Sequence, residues 1–360
     1  MQDFNPKKYY HLLEIKVRKL REIFSSATLP SIEVYESELL NYRMRAEFRI
    51  WHEDGVAFYA MNTPGKKIPY IVTEFPIGSK KINELMAPLL KIINKNYTLK
   101  NKLFSAEFLT TLDGDAVVTL IYHRQLDEEW EKIATNVHEE LNINIIGRSR
   151  KKKTVIGLDY VVEKLPIGGT EYQYKQIETG FTQPNARINQ AMLTWALKQT
   201  LKSKDDLLEL YCGNGNFTCV LAQNFKKVLA TEISKISVNS AHFNLKKNNI
   251  KNVTICRMSS EEITQALDKV RLFRRLKNIA LDEYHFSTIF VDPPRAGLDE
   301  QTLSLIRKFD NILYISCNPI TLMENISAIS NTHVIKSFAV FDQFPYTSHL
   351  ECGVFLNLKK

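Results

Sequence analysis

Tyr9, Leu12, Leu13, Val17, Leu20, Ile23 and Phe24 fall mostly three or four positions apart, with Lys7, Lys16, Lys19 and Arg21 among them. That spacing lays one apolar stripe along a helix, which Leu29-Pro30 ends. From residue 33 to 175 the period shortens towards two. Strand-like runs cover 43–51, 68–75, 104–112 and 116–123, and helix-like stretches at 79–94 and 128–141 separate them. This mixture predicts an α+β module. Arg43, Arg45, Glu47 and Arg49 alternate with Met44, Ala46, Phe48 and Ile50, so one face of the first strand is charged. Such a face is either solvated or turned towards a polyanion.

The second half alternates differently. Strands at 206–210, 227–232, 253–257, 288–292 and 311–316 are interleaved with helical stretches such as 217–224 and 234–248. A terminal pair follows at 333–341 and 351–358. Strands joined by helical crossovers predict a doubly wound parallel sheet, here closed by an antiparallel hairpin. The expected division is a helix at 1–32 packed on the catalytic domain, an α+β domain at 33–175 and a Rossmann-like domain at 176–360.

Composition narrows the class. The 360 residues suit two or three domains, and 44% hydrophobic with 24% charged is globular. No apolar run reaches the length of a membrane span, and the first residues contain no apolar signal core, so a soluble, cytoplasmic protein is expected. Forty-eight basic against 40 acidic residues leave a net +8, spread over both halves, which mildly favours a nucleic-acid partner. Cys212, Cys219, Cys256, Cys317 and Cys352 are odd in number and form no Cys-x-x-Cys pair. A zinc ribbon, an iron–sulfur cluster and a disulfide framework are therefore not expected, and any cysteine chemistry rests on a single thiol.

Leu-Leu-Glu-Leu-Tyr-Cys-Gly-Asn-Gly-Asn at 207–216 sets a strand before a glycine turn and a helix. Gly213 and Gly215 let the backbone approach a ligand, and Glu232 at the next strand's end can accept hydrogen bonds from a ribose. Thr218 stands where a dinucleotide fingerprint has its third glycine, and there is no P-loop. S-adenosylmethionine has a ribose without phosphate and meets these conditions. Asp292, in Asp-Pro-Pro-Arg at a fourth strand end, adds a carboxylate and points to a methyltransferase. Arg295 replaces the aromatic residue that amino-group methyltransferases stack on their target base, so an exocyclic amine is the less expected target.

Cys317 ends the following strand in Ser-Cys-Asn-Pro. Alone it could be a packing residue; with a carbon target it becomes a nucleophile. Uracil C6 is electrophilic, and a thiolate added there makes C5 able to attack a methyl sulfonium. The C5 proton must then leave, and Glu351, close to His349 in an apolar setting, is the candidate base.

Taken together these segments resemble the bacterial tRNA (uracil-5-)-methyltransferases of the TrmA type. The resemblance runs through Asn41–His52, Phe-Thr-Gln-Pro-Asn at 181–185, the glycine turn, Asp-Pro-Pro-Arg, Ser-Cys-Asn-Pro and Phe-Asp-Gln-Phe-Pro-Tyr-Thr at 341–347. It implies 5-methyluridine formation at position 54 of the tRNA T-loop. It further implies that Gln183, Tyr211, Asn216, Glu232 and Asp292, with Gly213 and Gly215, hold S-adenosylmethionine. Cys317 would be the nucleophile and Glu351 the general base. The target base must be flipped out, and Arg49, Phe104, His123, Phe181 and Arg295 are the candidates for holding the opened loop.

Three alternatives differ in substrate or class. The small β-barrel and four-cysteine site common in ribosomal RNA members are absent, which weighs against that substrate. A cytosine-C5 enzyme would carry Pro-Cys, where Ser316-Cys317 stands. A tRNA-folding chaperone with secondary catalysis is compatible with the same residues. Transfer-messenger RNA, with its T-like loop, is a plausible further substrate.

Overall fold

Leu207, Leu208, Ile289, Phe290 and Val291 leave no polar face, which suits parallel strands covered by helices on both sides. All of Asp206–Leu210 and the last four residues of Phe286–Val291 are buried. The computed structural model describes residues 4–63, 65, 68–203 and 205–359. The chain forms two compact units, each drawn from separate stretches. One comprises described residues within 1–37, 165–174 and 187–360, the other those within 38–164 and 175–186.

The first unit is built on eight strands. Their order is Ile32–Tyr35, His333–Phe341, Glu351–Leu358, Asn311–Ser316, Phe286–Val291, Asp206–Leu210, Val228–Thr231 and Val253–Cys256. Glu351–Leu358 runs antiparallel to both neighbours, and every other pairing is parallel. The strand order reverses between Asp206–Leu210 and Phe286–Val291, the place where open α/β sheets receive ligands. The N-terminal helix Tyr9–Ile23 buries Tyr9, Leu13 and Leu20 and packs near the helix Pro319–Ile329.

Three boundaries differ from the three-segment division read in the sequence, the first being that 176–186, expected in the Rossmann-like domain, belongs to the second unit. Ile32–Tyr35 pairs with Phe338–Phe341 and so belongs to the first unit's sheet. Its partner is remote in sequence and leaves no local trace. The hairpin of Tyr160–Ile167 and Thr170–Ile177 likewise gives its tip, 165–174, to the first unit.

The second unit holds a seven-stranded sheet in the order Tyr70–Ile71, Val56–Met61, Arg45–Glu53, Leu103–Thr110, Ala116–Tyr122, Asn144–Ser149 and Lys152–Ile156. Ala46, Phe48 and Ile50 are buried, as the alternation required. Phe48 packs against Tyr59, Phe75 and Phe108. The helices Lys80–Lys95 and Glu128–Leu141 bury Leu85, Leu89, Ile93 and Trp130. Of the strand expected at 68–75, only Tyr70–Ile71 pairs. No helix among the described residues is long and apolar enough to cross a membrane.

Candidate active site

Beyond Leu210 the backbone turns through three positive φ values: 61° at Tyr211, 57° at Gly213 and 78° at Gly215. A Cβ on Gly213 would meet nothing within 4 Å, so a ligand can approach its backbone closely. The Gly213 N–H donates to Glu232 Oε2 at 3.0 Å, and the Ser234 N–H donates to Oε1 at 2.7 Å. These bonds fix the half-buried carboxylate at the end of Val228–Thr231 and leave lone pairs for a diol. The Tyr211 hydroxyl donates to Ser260 Oγ at 2.9 Å, which holds its ring beside the turn.

Asn216, expected at the cofactor, is held by a neighbouring helix. Its side-chain amide exchanges two hydrogen bonds with Asn189, at 2.8 and 3.1 Å, and its carbonyl accepts from Tyr174 Oη at 3.0 Å. The amide thus ties the helix Ala186–Gln199 to the glycine turn, with one donor left over.

Beneath the turn lies a carboxyl that the sequence reading passed over. Glu209 is buried in the central strand, and burial raises its pKa to about 8. Thr218 lies close, yet neither carboxyl oxygen forms a hydrogen bond of normal geometry. A lone acidic residue inside Leu-Leu-Glu-Leu was the available signal, because a buried, unpaired carboxylate is costly and suits an uncharged acid or a cationic ligand nearby. The open space at Gly213 and the held carboxylate of Glu232 fit the ribose of S-adenosylmethionine.

The reacting groups meet through strand register. Asn311–Ser316 and Glu351–Leu358 are antiparallel with Ser316 opposite Cys352; Cys317 follows Ser316, Glu351 precedes Cys352, and the Glu351 charge reaches the thiol. Asp292 follows Val291 on the strand beyond Asn311–Ser316. Of the five cysteines only Cys317 is not buried.

Electrostatics couple the cluster. Burial raises Glu351 to about 8, with Asp292 adding to the shift and Arg295 opposing it. Burial also raises Asp292 to about 7. The Cys317 thiol is pushed up first by burial, then by Glu351 and Asp292, while Arg295 pulls it down. Arg295 thus favours the ionised forms of Glu351 and Cys317, while Asp292 is shifted by burial alone, and the cluster holds protons near neutrality. Arg295 Nη2 donates to His349 Nδ1 at 2.8 Å, so the ring is neutral there with its proton on Nε2. Burial, then Arg295 and Lys16, lower the His349 pKa.

Three of the RNA candidates come together in the second unit. Arg49, Phe104 and His123 line a shallow pocket of about 500 Å³ with Trp51, His52 and Lys102. Phe104 and His123 stack at 4.4 Å between centroids, and Arg49 lies 5.5 Å above the Trp51 ring. Phe181 is 74% exposed and, with Gln183, belongs to the 175–186 segment of this unit. The charged face is partly structural: Arg43 donates to the Arg45 carbonyl, and Arg45 donates to the carbonyls of Glu178 and Gly180. These arginines brace the segment that presents Phe181.

A thiol and a buried carboxyl at neighbouring strand ends, on the edge where open α/β sheets receive ligands, suit a Rossmann-like methyltransferase. The model of the family described as tRNA (Uracil-5-)-methyltransferase matches residues 8–359. A Cellvibrio japonicus protein named tRNA/tmRNA (uracil-C(5))-methyltransferase is 55% identical over 354 residues, covering 98% of this chain and 97% of that relative. A Saccharophagus degradans protein of the same name is 56% identical over 357 residues, covering 99% and 98%. The fold is shared with the Pyrococcus abyssi tRNA (uracil-54, C5)-methyltransferase solved with S-adenosyl-L-homocysteine. That comparison has a TM-score of 0.74 and 19% identity over 97% of this chain and 83% of that one. The chain belongs to the tRNA (uracil-5-)-methyltransferase family.

Proposed function

We propose that the protein methylates C5 of uridine 54 in the tRNA T-loop, with Cys317 as nucleophile and Glu351 as general base. The placing of these two residues at adjoining strand ends, close enough for the Glu351 charge to act on the Cys317 thiol, carries the reading. Cys317 as thiolate adds to C6, forming a sulfur–carbon bond while the C5=C6 electron pair shifts towards C5 and the C4 carbonyl. S-adenosylmethionine, when bound, supplies the sulfonium methyl that C5 accepts. Glu351 removes the proton from C5, the double bond re-forms, and the C6–sulfur bond breaks to release the thiolate. Microscopically this requires both a deprotonated thiol and a deprotonated carboxylate, so Arg295 acts by favouring the ionised forms.

Glu232 would hold the ribose, Gly213 and Gly215 the close backbone approach, Tyr211 one wall, and Asp292 the side facing the thiol. Gln183 is proposed as a further contact from the 175–186 segment. The second unit is proposed as the RNA-binding domain. Its paired rings Phe104 and His123, beside Arg49, support the stacking of unpaired bases, and Phe181 offers a further exposed ring. Relatives named for both tRNA and transfer-messenger RNA support the T-like loop of the latter as a second substrate. Such substrates imply a cytoplasmic site of action.

A T-arm RNA carrying 5-fluorouridine tests the reading. Fluorine cannot leave as a proton does, so a denaturing gel should show a shifted, Cys317-dependent band in the presence of S-adenosylmethionine. RNA that binds without giving this band would remove the catalytic reading and favour an RNA-folding role.

A further inference from the structure

The N-terminal helix does not seal against its own unit. Lys8, Leu12, Ile15, Lys19 and Ile23 follow one another at steps of three or four residues and so share one face. That face lines a cleft of about 860 Å³ that Cys317, Arg295, Ile320 and Tyr346 also line. Leu12, Ile15 and Ile23 are only half-buried, and Ile320 is 57% exposed, so the cleft leaves apolar surface open to water.

The charge on this cleft is one-sided. No Asp or Glu is among the described residues that line it, while Lys8, Lys19 and Arg295 are all exposed there. Lys16, which also lines it, is paired with Asp342. An occupant must therefore carry negative charge, present apolar faces and lead to the thiol. Single-stranded nucleic acid is held by this pairing of cations with apolar platforms.

We infer that the cleft receives the RNA strand flanking the target uridine. A neighbouring base lies against Leu12, Ile15 and Ile320, and phosphates lie beside Lys8, Lys19 and Arg295. The N-terminal helix is thus part of the RNA-binding surface. This inference rests on the reading of the substrate as RNA.

The test compares the Lys8→Ala/Lys19→Ala protein with a Lys246→Ala/Lys251→Ala control, which removes equal charge from exposed positions outside the cleft. Binding of T-arm RNA is measured across a salt series, with single-turnover methylation at saturating RNA. The cleft variant should weaken binding roughly threefold per lysine and flatten the salt slope by about 0.7 per lysine. Its saturated rate should stay within about twofold of wild type, and the control should match wild type throughout. An unchanged slope in the cleft variant, or an equal change in the control, overturns the inference while methylation by wild type leaves the substrate reading intact. A wild-type protein that binds this RNA without methylating it overturns the substrate reading, and the slope comparison still decides whether the cleft holds polyanion.

Discussion

Lys16 Nζ donates to Asp342 Oδ1 at 2.6 Å and to the Phe344 carbonyl at 2.9 Å, with both charged side chains buried. The pair joins the N-terminal helix to the loop that leads into Glu351. Replacing Lys16 by Met should leave a buried carboxylate uncompensated and cost about 3–5 kcal/mol. Denaturant unfolding checks this. A Lys16→Met/Asp342→Leu double variant should recover much of the loss, because the desolvated charge is then removed as well.

Cys317→Ala should abolish both turnover and adduct formation while S-adenosylmethionine still binds, as equilibrium dialysis would show. Glu351→Gln should lower turnover by roughly 10²–10⁴-fold and accumulate a methylated RNA–protein adduct that survives denaturation. Normal release of product RNA from the glutamine variant would contradict the assignment of the base.

The raised pKa values set the direction of the pH profile. Glu351 at about 8, Asp292 at about 7 and the elevated Cys317 thiol all gain the reactive, ionised form as pH rises. In the free enzyme kcat/KM should therefore climb through neutrality towards the alkaline side. Binding of a sulfonium cation favours ionised carboxylates, so S-adenosylmethionine should bind with proton release and more tightly at higher pH. S-adenosylhomocysteine, with a neutral sulfur, should show a weaker dependence by calorimetry in buffers of differing ionisation heat.

Stability should run the other way. The folded-state pKa of Glu209, about 8, lies above its ordinary value of 4.5, so the folded protein binds more protons than the unfolded chain in that interval. Its contribution is fully present below the ordinary value and is lost as pH rises to about 8. The melting temperature should fall over this window, and Glu209→Gln should flatten the fall.

Phe104→Ala should weaken RNA binding by about 1–3 kcal/mol, the range for losing one base-stacking ring. The salt slope should stay unchanged, since no charge is lost. Arg49→Ala should instead reduce the slope. A salt series with both variants separates stacking from charge.

Much of this site was legible because chemistry and periodicity coincided. Leu-Leu-Glu-Leu ran into a glycine turn, and Cys317 and Glu351 stood at expected strand ends, while their roles came from the chemistry of a carbon target and the family resemblance. The structure added what local pattern cannot encode. Asn216 engages Asn189, Arg45 engages the carbonyls of Glu178 and Gly180, and Lys16 engages Asp342, each through contacts between distant parts of the sequence. Some signals were present and unread. Ser259 and Glu262 form a capping box at the start of Ser260–Leu267, and Asn318-Pro319 caps Pro319–Ile329. The strand at 68–75 failed for another reason: beyond Tyr70–Ile71 only the Val72 N–H, donating to the Tyr59 carbonyl, continues the pairing, so apolar content there was no guide to strand length.

Ile32 pairs with Phe338, and Tyr35 with Phe341. On the ribosome the earlier strand is made long before its native partner exists. Closure of the sheet must then follow synthesis of nearly every other element in the unit, and non-local pairing of this kind is slow. A chain halted before Phe338 would hold a glycine turn and a thiol but no finished edge. Activity is therefore a property acquired late in translation, and the short, four-residue length of the waiting strand limits its capacity to pair wrongly in the interval.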